Sequence, residues 1–136
     1  MLVLYVTFEL EGVGGDSDRA FRRWLADIAT TTQEVEGCVS YDYVVDLEAR
    51  RGNLVEVWTS TVARDGYVLM PHHVEMVALA TSKWGMHGFR TMCWPDAGEA
   101  AVSARERSEE PSASRQEMNR LVAAYVSATG DDRGVG

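Results

Sequence analysis

The sequence predicts an α+β fold: a four-stranded antiparallel sheet with helices on one face, in the order β-α-β-β-α-β, followed by an extra C-terminal helix. Three observations predict it. Residues 2–10 alternate strictly, residues 17–34 repeat apolar side chains at helical spacing, and two strand-like runs then flank a short charged turn before a second helix and a last strand. That order is the split βαβ, or ferredoxin-like, arrangement.

Each element has its own justification. In "LVLYVTFEL", Leu2, Leu4, Val6, Phe8 and Leu10 share one face, and Val3, Tyr5, Thr7 and Glu9 the other, which is a strand with a strongly apolar side. "EGVGGDSD" breaks it, and Asp16 or Ser17 offers an N-cap. Phe21, Trp24, Leu25 and Ile28 follow at i, i+3, i+4 and i+7, an amphipathic helix that Gly37 closes. "CVSYDYVVD" is the second strand, with Val39, Tyr41, Tyr43 and Val45 on one face; "NLVEVWTS" is the third, with Leu54, Glu56 and Trp58 opposite Val55 and Val57. The turn "LEARRGN" joins them as a hairpin. "TVARDGYVL" predicts a short helix interrupted at Gly66, a further helix spans 71–82, and "HGFRTMCW" is the fourth strand, closed by Pro95.

This core domain covers residues 1–95. Residues 96–113 read as a linker, 114–129 as an amphipathic helix with a capping box at Ser114 and Glu117, and 130–136 as a disordered tail. Met118, Leu121, Val122, Tyr125 and Val126 give the last helix an apolar stripe, so it must dock on something. Both faces of the sheet carry large apolar residues, among them Val55, Val57, Met92 and Trp94. The helices cover one face only, which predicts a homodimer in which a second sheet covers the other.

At 136 residues and a net charge of −8, the chain is sized for one domain and unsuited to nucleic acid, whose phosphates need a basic patch. No apolar run reaches the roughly 20 residues of a membrane span, and the N-terminus lacks a basic leader, so a cytoplasmic protein without a membrane partner is expected. Cys38 and Cys93 match no zinc or redox spacing. "GVGG" at 12–15 lacks the spacing of a nucleotide loop, and no cofactor is predicted.

Three stretches resemble the antibiotic biosynthesis monooxygenase family. "EGCVSYDYVVD" carries Gly-Cys-x-x-Tyr after the first helix, "LVEVWTS" ends the third strand with Glu-x-Trp-x-Ser, and "MPHHVEM" opens the last core helix with Pro-His. The resemblance covers about residues 1–95 and implies a dimeric α+β barrel with one pocket per subunit between sheet and helices. It further implies oxidation of a polycyclic phenol, hydroquinone or anthrone (a polyketide-type intermediate) to a quinone by O2 without a cofactor. Members that form quinones commonly carry an asparagine four residues before the tryptophan; Leu54 stands there in this chain. Haem-degrading members need an asparagine on the first strand, a second tryptophan and a ligating histidine, where this chain has Thr7 or Phe8, Tyr67 and Val77.

The candidate site residues come partly from these motifs and partly from the bulky and charged side chains around them. His72 is read as the base, with His73 the alternative; neighbouring helical residues point about 100° apart, so the two do not converge on one metal, and no metal is predicted. Trp58 is read as a catalytic cavity wall and Arg90 as an oxyanion partner. Tyr67, Trp84, Trp24 and Met76 are read as substrate contacts alongside His73. Two other classes remain open: a non-catalytic dimeric module that binds a small aromatic or assists a larger assembly, and a cofactor-free isomerase or cyclase.

Overall fold

The computed structural model describes residues 1–94 and 113–135. Its elements are β1 (Leu2–Leu10), α1 (Asp18–Gln33), β2 (Cys38–Asp46), β3 (Arg51–Trp58), α2 (Thr61–Val68), α3 (Pro71–Ser82), β4 (Met86–Trp94) and α4 (Ala113–Val135). The strands form one sheet in the order β2-β3-β1-β4, antiparallel throughout. The α+β class and the ferredoxin-like order are as the sequence predicts.

The alternation of β1 sets the layers. Leu2, Leu4, Val6, Phe8 and Leu10 are buried beneath the helices; Val6, Phe8 and Leu10 cluster with Phe21, Leu25 and Ile28 of α1 and Leu54 of β3, and Leu2 and Leu4 cluster with Trp58 and Tyr67. Each such side chain contributes about 1.5–3 kcal/mol on full burial. Gly37 turns the chain from α1 into β2 at φ +91°, and a Cβ there would lie 2.6 Å from Ala63 Cβ. The Ser60 hydroxyl accepts a hydrogen bond from the Ala63 N–H (3.1 Å) and caps α2, and Pro71 opens α3. Helix α3 is apolar on most of its sides. It is covered by the sheet and by α4, which packs against α3 and α2 through half-buried Met118, Leu121, Val122 and Tyr125.

Several local expectations are corrected. A bulge between Cys38 and Ser40 lets Val39 swing out, 52% exposed, and brings Cys38 to the helix side in its place. Helix α2 runs through Gly66 without a break, because that position is exposed with space around it. Ser17 stands at the N-cap of α1, but its hydroxyl bonds to Gly14 instead of a helix N–H. Helix α4 begins at Ala113, which places Ser114 in its first turn, and Glu117 pairs with Arg120 (Nε–Oε2 2.9 Å). The backbone stays helical to Val135, where a disordered tail was expected from residue 130. Apart from Ala113, the expected linker lies outside the described residues.

The outer face of the sheet is graded along its strands. At one end Val3, Val57 and Trp94 lie side by side, followed by Tyr5, Val55 and Met92. At the other end Thr7 lies between Asn53 and Arg90. Met92 and Trp94 are about half exposed, at 52% and 50%.

Candidate functional site

Four elements bring polar side chains together beneath the sheet. Glu56 and Trp58, two apart on β3, share its inner face. Both are buried, and the Trp58 indole Nε1–H donates to Glu56 Oε1 at 3.1 Å. Tyr67 of α2 lies against Trp58 with ring centroids 4.8 Å apart and against His73 of α3 at 4.7 Å. Thr32, on the inward stripe of α1, is fully buried; its Oγ1 lies 3.1 Å from Tyr67 Oη and 3.3 Å from His72 Nε2. His73 Nδ1 lies 3.0 Å from the Val68 carbonyl, which can only accept, so that nitrogen carries the proton.

Burial dominates the electrostatics of this layer. It lowers the pKa of His73 to about 4, helped by the Arg64 charge and opposed by the Val68 hydrogen bond. The same cause lowers His72 below the usual histidine value, with Glu75 opposing. Both rings are therefore neutral near pH 7. Burial raises the hydroxyls of Tyr67 and Tyr41, which stay protonated. Arg64 Nε is buried without a hydrogen-bond partner.

His72 links this layer to the surface. It borders a groove of about 210 Å³ between α1 and α3. Trp24, Ile28, Met76 and Leu79 give the groove an apolar wall, and Asp27, Thr31 and Glu75 complete its polar side with His72. Trp24 also packs on Phe21 and Trp84 at centroid distances of 6.1 and 5.9 Å. The groove thus offers a flat aromatic surface, one neutral imidazole and two carboxylates.

The residues expected at the site fall into three groups. His72, Trp24 and Met76 meet at the groove. Tyr67, His73 and Trp58 form the buried layer behind it. Trp58 is therefore no cavity wall: it has no exposed surface and is shielded by Tyr67. Trp84 is likewise a core residue, with its Nε1 lacking a partner. Arg90 is not brought to the site at all. It pairs with Thr7 on the outer face and lines a second cavity of about 490 Å³ with Tyr5, Thr7, Asn53 and Arg51. The sheet separates it from His72, so it cannot serve as an oxyanion partner there. The sequence gives Glu56 a place in a motif but no role at the site, and leaves Thr32 and Arg64 unmarked. Glu56 left a signal, a carboxylate in an inward position between Leu54 and Trp58. Thr32 left a weaker one, eleven residues after Phe21 on the buried stripe of α1. For Arg64 there was none.

Among the described residues no group of three His, Cys, Asp or Glu side chains could hold a metal, and no helix is long and apolar enough to cross a membrane. Residues 3–79 match the sequence profile of the antibiotic biosynthesis monooxygenase family. The chain belongs to that family. The matched span runs from β1 into α3 and includes Thr32, Trp58, Tyr67 and both α3 histidines, while Arg90 and α4 lie beyond it. A candidate antibiotic biosynthesis monooxygenase from Deinococcus radiodurans shares 16% identity at a TM-score of 0.60, with 71% of this chain and 93% of that one covered. Rv0793 from Mycobacterium tuberculosis shares 22% identity at a TM-score of 0.56, with 74% and 99% covered. At such identities the structures speak for the fold alone. No curated protein matches the chain.

Proposed function

We propose that this member of the antibiotic biosynthesis monooxygenase family oxidises a polycyclic phenol, hydroquinone or anthrone to a quinone with O2 and no cofactor. The observation that carries the reading is His72: a neutral imidazole, held from behind by Thr32, at the edge of a groove walled by Trp24 and Met76. The aromatic wall takes the flat ring system and His72 meets its hydroxyl.

The chemistry asks little more of the protein. Deprotonation lets the electron-rich substrate pass one electron to triplet O2. The substrate radical and superoxide combine at carbon, and the peroxide loses water to leave the new carbonyl. An anthrone and O2 thereby give an anthraquinone and one water. The protein's part is to orient the ring and stabilise the oxyanion. The graded outer face supports the homodimer, with Val3, Val55, Val57, Met92 and Trp94 as the strip a second sheet would cover.

Oxygen uptake by the metal-stripped protein with an anthrone or a dihydroxynaphthalene tests the reading. Uptake above boiled protein, with one quinone formed per O2, is expected. Product formed without oxygen would instead identify an isomerase or cyclase. Tight binding with neither uptake nor product would identify a binding module, a reading favoured by Leu54 standing where quinone-forming members carry asparagine.

A further inference from the structure

We infer that His72 meets its ligand as a hydrogen-bond donor, through Nδ1–H, because a chain of hydroxyls from Tyr67 through Thr32 fixes its tautomer. The Tyr67 hydroxyl is buried (the residue is 1% exposed), so its hydrogen must find an acceptor inside the protein. Thr32 Oγ1 at 3.1 Å is that acceptor. Thr32 then directs its own hydrogen at His72 Nε2, 3.3 Å away. An Nε2 that accepts has a lone pair, and a neutral ring with its lone pair there carries its proton on Nδ1.

The opposite order, from His72 Nε2–H through Thr32 to Tyr67, leaves the buried phenol hydrogen without an acceptor among the described residues. The geometry therefore selects one order of the two bonds. Thr32 and Tyr67 are positioning residues that act through the imidazole.

The consequence alters the part expected of His72. A base would need its lone pair on the nitrogen not engaged by Thr32. This ring has a hydrogen there, suited to an oxygen that bears a lone pair and developing charge, such as a phenolate or enolate. The neutral substrate gives its proton to Glu75 or Asp27 on the polar side of the groove, or to solvent, as that anion forms. That consequence rests on the groove being the substrate site; the tautomer does not.

The test needs no substrate. Two-bond 1H–15N correlation spectra at neutral pH show which nitrogen of each neutral imidazole is protonated, and the chain has only 3 histidines to assign. His72→Gln removes one set of signals and identifies it. The wild-type protein is expected to show His72 protonated on Nδ1. Thr32→Ser keeps that pattern, Thr32→Val loses it, and Tyr67→Phe yields both tautomers. A wild-type ring protonated on Nε2 would overturn the inference, as would a pattern indifferent to Thr32→Val and Tyr67→Phe. The wild-type spectrum alone decides the tautomer if a variant fails to fold. An Nδ1-protonated His72 in a protein that oxidises no phenol would leave the inference standing and remove the proposed reaction.

Discussion

Replacing Trp58 by phenylalanine is expected to cost about 3 kcal/mol of stability and to change ligand binding little. The magnitude has two parts. The Trp58 Nε1–H donates to Glu56 Oε1, and losing the donor leaves that buried oxygen unsatisfied, at a cost of about 1–3 kcal/mol. Trp58 has no exposed surface, so the smaller ring also leaves unfilled space, worth about 1 kcal/mol on the scale of small core deletions. Urea unfolding followed by circular dichroism reads the sum: at about 1–3 kcal/mol per molar, the midpoint falls by roughly 1–3 M. Glu56→Gln keeps an acceptor oxygen in place and is expected to cost less than about 1 kcal/mol. The double variant Trp58→Phe with Glu56→Leu removes both partners and should recover part of the loss. Trp58→Phe with a midpoint like the wild type and lost ligand binding would refute the reasoning, because Trp58 would then be a cavity wall.

Three further outcomes follow from the same structure. His73 has a folded pKa depressed from 6.5 to about 4, so the stability tied to its neutral form is full above about pH 6.5 and is lost as pH falls toward 4. That amounts to on the order of 3 kcal/mol, and urea midpoints across this window should fall less steeply in His73→Gln, whereas equal slopes would show that His73 is not the group responsible. Met92→Glu, on the half-exposed outer strip, is expected to convert a dimer of the 15.0 kDa chain into a monomer by light scattering while the circular dichroism spectrum holds; an unchanged mass would place the interface elsewhere. Ending the chain at residue 112 removes α4 from α3 and α2, and should lower the melting temperature and increase binding of a hydrophobic dye; unchanged melting would show that α4 contributes nothing to the core.

The fold was legible where periodicity was strong. The alternation of β1 and the helical stripe of α1 each mark a buried face without reference to any other element, and the short charged turn between β2 and β3 allows only a hairpin. Register was not legible. The bulge that expels Val39 depends on how β2 meets β3, which no stretch of β2 records alone. The end of α4 was missed because "GDDRGV" is a poor helix former on its own. At the proposed site, the histidine pair on α3 and the nearby aromatic residues were legible as candidates. Depth was what the sequence concealed: Trp58 lies on the inner face as its parity requires, yet Tyr67 stands between it and the groove. Arg90 was misplaced for a related reason, since its face is set by pairing with Thr7 across a register shift in β1 and β4.

An NMR titration of the protein with a dihydroxynaphthalene shows whether an aromatic ligand enters the α1–α3 groove. Saturable shifts are expected at the Trp24 indole N–H, the His72 ring and the Met76 methyl group. Shifts confined to Tyr5, Asn53 and Arg90, around the larger cavity on the outer face of the sheet, would contradict that expectation.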